Sequence, residues 1–223
     1  MRAALIPVKN LSRAKQRLAS ILSQADRTAL ATAMMEDVFS AVAAARGLDA
    51  IFVVSNHGPA LERARSLGWN LIRERRQISE SDSVDRASRT CVARGVKTLL
   101  RLPIDIPLLL ASDVEAILAA AERSPACVLV PSRDGTGTNA LLRTPPALFR
   151  SHFGPNSLRK HLAEAATRDA QVCVLRNPRI GLDVDDEDDL RALVVSAHLR
   201  GATKQWLRSS GFQAGATRAV SAD

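Results

Sequence analysis

Asp105 is the residue whose setting most suggests chemistry. It follows the run Leu99-Leu100-Arg101-Leu102-Pro103-Ile104, and Pro107 holds its predecessor out of the helical region, which keeps the backbone extended. Asp105 is therefore presented at a strand's mouth. In an open parallel sheet the carboxyl ends of the strands border the ligand crevice, so a lone acid there is placed to hold a metal ion on a phosphate. The competing role is a cap for the next helix. Ser112-Asp113-Val114-Glu115 already supplies a capping box opening a helix over 114–121, which leaves Asp105 free of that duty.

More carboxylates lie far downstream, where Asp183-Val184-Asp185-Asp186-Glu187-Asp188-Asp189 places six acids in seven residues. Like charges at that density call for a cation or a helix start. Asp186 to Asp189 fit the first turn of a helix running to Leu199, and alternation along an extended segment puts Asp183 and Asp185 on one side just before it. Cations come from the stretch behind the first strand, where Lys9, Arg13, Lys15 and Arg17 fall within nine residues. Each can give charge-assisted hydrogen bonds to phosphate oxygens. The glycines of a Walker loop are absent, so the stretch reads as a polyphosphate loop of another kind or as a basic surface turn.

Two further stretches suit anionic oxygens. Pro131-Ser132-Arg133-Asp134-Gly135-Thr136-Gly137-Thr138-Asn139 interleaves glycines, which admit a close backbone approach, with hydroxyls and an amide. A hairpin turn explains the glycines equally well, but it does not need Thr136, Thr138 and Asn139. Gly154 and Ser157 stand before a helix over 158–167, whose free first-turn N–H groups suit a carboxylate or phosphate. Ser157 as a plain N-cap is the other reading.

The elements that must position these residues alternate. Segments 2–8, 50–55, 69–73, 99–103, 126–130 and 171–175 read as strands, most of them continuous apolar runs of the kind buried on both faces. Helices are expected over 23–45, 59–67, 84–94, 114–121, 158–167 and 186–199, and the polar segment 74–85 reads as a loop. Strand-then-helix order with short connections predicts an α/β fold, a parallel sheet covered by helices on both sides. With 223 residues and 46% hydrophobic content the chain supports one such domain, 1–200, followed by a C-terminal extension, 201–223, expected to be partly disordered.

Composition excludes several classes. Three scattered cysteines (Cys91, Cys127, Cys173) and four histidines show no C-x-x-C, H-x-H or H-E-x-x-H spacing, so reduced, buried thiols are expected and a zinc site or histidine triad is not. The net charge of +8 favours an anionic partner. Aromatic content of 3%, with no tyrosine, leaves few stacking platforms and argues against nucleic acid. No signal peptide or membrane span is visible, so a cytoplasmic location is expected.

Taken in order, five segments form a pattern: Ile6-Pro7-Val8-Lys9 with Leu11-Ser12-Arg13-Ala14-Lys15 and Arg17-Leu18; Pro103 to Leu109; Pro131 to Gly135 with Asn139-Ala140-Leu141; Phe153-Gly154-Pro155 with Ser157 and His161; and Asp183-Val184-Asp185 with Asp189-Leu190. The pattern resembles the 2-phospho-L-lactate guanylyltransferase family, related branches of which use phosphoenolpyruvate or 3-phospho-D-glycerate and serve coenzyme F-420 biosynthesis. The resemblance implies a Rossmann-like nucleotidyltransferase fold, a three-layer sandwich on a mostly parallel mixed sheet. It implies GTP over the first loop, with Lys9, Arg13, Lys15, Arg17, Ser83 and Asp105 as nucleotide-binding residues and Lys9, Asp105 and Asp185 as catalytic ones. Mg2+ would lie on Asp105 and Asp185 with Asp183 in support, and the phospho-acid on Thr138, Asn139, Gly154 and Ser157. The expected partners are thus GTP and a small phosphorylated acid, with no nucleic acid and no membrane, and a homodimer is compatible. This chain departs from the family at Asn156, where a glycine is common, at Asp186-Glu187, which replace a usual Thr-Pro, and in the 79–85 loop, which lacks a frequent Leu-Asn pair. Two other readings stand beside this one. Asp183-x-Asp185 also suits a GT-A-like glycosyltransferase or another nucleotidyltransferase, and a basic nucleic-acid module would show steeply salt-dependent binding.

Overall fold

The structure is a computed structural model that describes residues 1–121 and 123–212. Among the described residues seven strands and eight α-helices follow in the order β1 (Arg2–Val8), α1 (Gln24–Ala44), β2 (Ala50–Ser55), α2 (Gly58–Ser66), β3 (Asn70–Arg73), α3 (Glu80–Ala93), β4 (Thr98–Arg101), α4 (Ala111–Ala119), β5 (Ala126–Pro131), β6 (Thr138–Thr144), α5 (Ser157–Ala166), β7 (Gln171–Val174), α6 (Pro178–Gly181), α7 (Glu187–Val194) and α8 (Gly201–Ser210). The strands form one sheet ordered β3-β2-β1-β4-β6-β5-β7. β6 alone runs against its neighbours, pairing antiparallel with β4 and β5, so the sheet is mixed and mostly parallel. This is the expected three-layer α/β sandwich.

Alternation along the strands divides the core. Ile6, Val53, Leu100 and Leu142 pack with α1, α2 and α4 on one face of the sheet. Leu5, Val54 and Leu99 pack with α3 on the other face, where Leu129 and Leu141 meet α5. A third apolar cluster lies off the sheet, where Leu30 and Met34 of α1 meet Leu190 and Leu193 of α7 and Leu207 of α8. Of the partly disordered extension expected over 201–223, residues 201–210 form α8, packed on α1, and residues 213–223 lie outside the described residues.

Several local expectations are corrected. Ser112 does not cap α4: the helix starts at Ala111, and Asp113 Oδ2 accepts the Leu110 N–H at 3.0 Å. Asp113 is pinned there by the Arg179 and Asn177 side chains, which draws the helix start back. Ser157 is the first residue of α5 rather than its cap; Asn156, in the left-handed region at φ 56°, precedes it. Segment 79–85 is the start of α3, with Ser79 Oγ accepting the Asp82 N–H at 3.1 Å. The 132–137 stretch is the turn of a β-hairpin between β5 and β6, the second strand beginning at Thr138, and α7 ends at Val194 rather than Leu199.

Candidate active site

The basic stretch after β1 leaves the sheet's carboxyl edge as two short 3-10 turns, 11–13 and 16–18, with Lys15 between them in the left-handed region at φ 52°. A side chain bearing a Cβ occupies that region at a cost of about 1–2 kcal/mol. The conformation turns Lys15 inward. Its Nζ donates to Asp105 Oδ2 at 2.7 Å and to Asp185 Oδ1 at 2.9 Å. Burial would lower the Lys15 pKa, but the two carboxylates outweigh it and hold the ammonium above its ordinary value. Burial would likewise raise the Asp105 pKa, and Lys15, followed by Arg101, holds it below the usual carboxylate range.

The two acids meet because the backbone staples their segments together. Val184 N–H donates to the Asp105 carbonyl at 2.9 Å, which lays 183–185 alongside the chain just beyond β4. Asp185 and Asp186 N–H both point at Asp189 Oδ2, so the remaining acids of the cluster open α7. Asp183 has no bond to Lys15 and accepts instead from Asn139 Nδ2 at 3.0 Å. Burial, then Asp105 and Asp185, push its pKa up.

Lys9, Arg13, Lys15, Arg17, Ser83 and Asp105 all line one cavity of about 720 Å3. Lys9, Arg13 and Arg17 are exposed along its rim, whereas the buried Ser83 hydroxyl donates to Glu74 at 3.0 Å. A second cavity of about 560 Å3 is lined by Thr138, Asn139, Gly154, Ser157 and Asp183. Gly154 sits at φ +114°, a conformation that L side chains rarely adopt, and Gly137 approaches Ser132 so closely that a Cβ would lie 2.7 Å from its Oγ. Asn139 is buried, and its amide also donates to the Ile180 and Gly181 carbonyls, tying α6 to β6. Asp105 and Asp185 line both cavities.

Asp105 and Asp185 already converge on one cation, the Lys15 ammonium. Among the described residues no three His, Cys, Asp or Glu side chains group closely enough to hold a metal by themselves. A divalent ion here would take carboxylate oxygens from these two residues and the rest from phosphate and water. That donor set fits a hard cation bound together with a phosphorylated substrate.

The family model described as "Guanylyl transferase CofC like" matches residues 1–222. The chain belongs to the CofC-like guanylyltransferase family. It is 36% identical to a phosphoenolpyruvate guanylyltransferase of Rubrobacter xylanophilus, over 86% of this chain and 93% of that protein. It is 32% identical to a 2-phospho-L-lactate guanylyltransferase of Methanothermobacter thermautotrophicus, over 94% and 91%. A solved nucleotidyl transferase from Methanothermobacter shares the fold, with TM-score 0.62 and 16% identity over 94% of this chain and 99% of that one.

Membership makes the chain a guanylyltransferase, an enzyme that transfers GMP. Its geometry adds a residue that sequence reasoning passed over. Arg101, buried at the end of β4, donates to the Asn139 carbonyl at 3.1 Å, pairs with Glu80, and lies 4.1 Å over the Phe153 ring. Burial pushes its pKa down to about 10, and its Nε has no hydrogen-bond partner among the described residues. Arg101 lines the second cavity of this guanylyltransferase, and Glu80 lines both and also faces Lys9. The available signal was a cation at a core-facing position of an apolar run. No helix among the described residues is long and apolar enough to cross a membrane.

Proposed function

We propose that this cytoplasmic guanylyltransferase moves GMP from GTP onto the phosphate of a small phospho-acid, with release of pyrophosphate, in coenzyme F-420 biosynthesis. The names of its relatives favour phosphoenolpyruvate or 2-phospho-L-lactate as acceptor over 3-phospho-D-glycerate. The observation that carries the reading is the pair Asp105 and Asp185 on the common rim of two cavities, one lined by Lys9, Arg13, Lys15 and Arg17, the other by hydroxyls, Arg101, Arg133, further carboxylates and a glycine-bounded helix start.

GTP would lie in the first cavity, its triphosphate met by Lys9, Arg13, Lys15 and Arg17, with Ser83 on the nucleoside side. The acceptor would lie in the second, on Thr138, Gly154, Ser157 and the α5 N-terminus, with Arg101 beneath as a fixed positive charge. Asn139 holds the wall and Asp183 in place. An acceptor phosphate oxygen attacks the α-phosphorus in line, a P–O bond forms, and the bond to pyrophosphate breaks. That oxygen carries no proton near neutrality, so the step asks for no general base. Repulsion between two anions is the main obstacle, and fixed cations together with alignment lower it. Mg2+ held by Asp105 and Asp185, with Asp183 in support, would screen the phosphates and polarise the reacting phosphorus.

Purified protein incubated with GTP, Mg2+ and each acceptor separately, with products weighed by mass spectrometry, tests the reading. A product heavier than one acceptor by a GMP residue is expected, with equimolar pyrophosphate. Release of pyrophosphate from another nucleoside triphosphate alone would reject guanylyl transfer.

A further inference from the structure

The buried His161 takes no part in the chemistry above, yet its hydrogen bonds decide what its neighbour can do. The ring, on α5, is fully enclosed and packs edge-on to Phe153 with centroids 5.1 Å apart. The backbone N–H of His152 donates to His161 Nε2 at 2.8 Å, so that nitrogen must present its lone pair. A neutral imidazole with a bare Nε2 carries its proton on Nδ1. Nδ1 lies 3.1 Å from Thr138 Oγ1 and therefore donates to it. Burial, followed by the charge of Arg143, keeps the ring neutral, with its pKa pushed down to about 3.

A threonine hydroxyl that accepts from a fixed donor has its own hydrogen left to give. Thr138 Oγ1 has no other hydrogen-bond partner among the described residues, and Thr138 lines the second cavity. We infer that His161 is a positioning residue, whose Nδ1–H turns the Thr138 hydroxyl hydrogen into the second cavity as a donor to an acceptor oxyanion. The inference rests on the second cavity being the acceptor's site. It makes the first turns of α5 serve twice: the N-terminus faces the ligand directly, and His161, one turn further on, orients a donor on β6.

Nitrogen-15 NMR of the histidine-labelled wild-type protein reads the tautomer directly. A protonated Nδ1 and a bare Nε2, unchanged down to mildly acidic pH, are expected; the reverse tautomer or an imidazolium overturns the inference whatever the variants do. Steady-state kinetics then test the consequence. Thr138→Val is expected to raise the acceptor KM about 10-fold, the loss of one hydrogen bond to a charged group, with the GTP KM moved less than about twofold. His161→Gln keeps an acceptor for the His152 N–H but takes the donor away from the Nδ1 position beside Thr138, so it is expected to raise the acceptor KM about 5-fold and to add nothing on top of Thr138→Val. If Thr138→Val leaves the acceptor KM unchanged, the assignment of the cavity fails. If Thr138→Val raises it but His161→Gln raises it further in the double variant, or moves the GTP KM as much, the cavity stands and the relay fails.

Discussion

At the scale of single residues the site is a balance of opposite charges held by a strained turn. Lys15 joins Asp105 to Asp185 through bonds of 2.7 and 2.9 Å, and both acids face the space where phosphates would lie. Asp105→Asn keeps the volume and leaves Lys15 paired to Asp185, so the fold should persist. The neutral amide is a weaker ligand for a divalent ion than the carboxylate, and guanylyl transfer is expected to fall by about 100- to 1,000-fold while the thermal midpoint stays within a few degrees. Retained turnover in that variant would remove Asp105 from the proposed metal site. The thiols make a separate test at this scale. Burial pushes the Cys91 thiol up to about 12 and the Cys127 thiol up to about 11, so thiolate is scarce at either site near pH 8. Iodoacetamide is expected to leave both unmodified in the folded protein and to alkylate both in urea, as read by peptide mass mapping.

At the scale of elements, α8 shows how one helix is secured by another. Asp37, on α1, accepts the backbone N–H groups of Ala202 and Thr203 at 2.6 and 2.9 Å, capping α8 from outside its own chain segment. Gly201 makes this approach feasible: it sits at φ +69°, and a Cβ there would overlap the Asp37 carboxylate. Gly201→Ala is expected to destabilise the protein by about 2 kcal/mol, lowering the melting midpoint by about 4–8 °C and shifting Trp206 emission to the red. An unchanged melt would mean that α8 docking contributes nothing to stability. Such a contact joins residues far apart in the chain, which is why the sequence did not disclose it. The strands β1, β2, β4 and β5 were legible because continuous apolar runs have few other uses. The start of α3 was not, because Glu80 and Ser83 are polar for the cavity they line, Ser81 and Asp82 between them are polar too, and polarity resembles a loop. Strand β6 was masked in the same way by Thr138 and Asn139 at its head. The candidate site residues could be named from their types and order. Their partners, such as Lys15 with two aspartates and Arg101 with Glu80, depend on folding and had no local signature.

At the scale of the whole molecule, the reversed strand β6 explains why there are two adjoining cavities. Parallel strands present their carboxyl ends to one edge of the sheet, which is where the Lys9 to Arg17 stretch and Asp105 emerge. β6 runs the other way, with Leu141 opposite Arg101, so it brings its first residues, Thr138 and Asn139, to that same edge. The half built on β1 to β3 thus supplies Lys9, Arg13, Lys15 and Arg17, and the half built on β5 to β7 supplies the hydroxyls of Ser132, Thr136, Thr138 and Ser157 together with Arg133. They meet at Asp105 and Asp185. If each half serves one substrate, damage should sort by half. Lys9→Ala is expected to raise the GTP KM about 10-fold, from the loss of a charge-assisted contact, and to move the acceptor KM less than about twofold. This is the converse of Thr138→Val, whereas a variant at Asp105 should lower kcat with either substrate saturating. Full kinetics with both substrates varied would show it. Equal shifts of both KM values by Lys9→Ala would mean that the cavities act as one merged site and that the division of the sheet carries no division of labour.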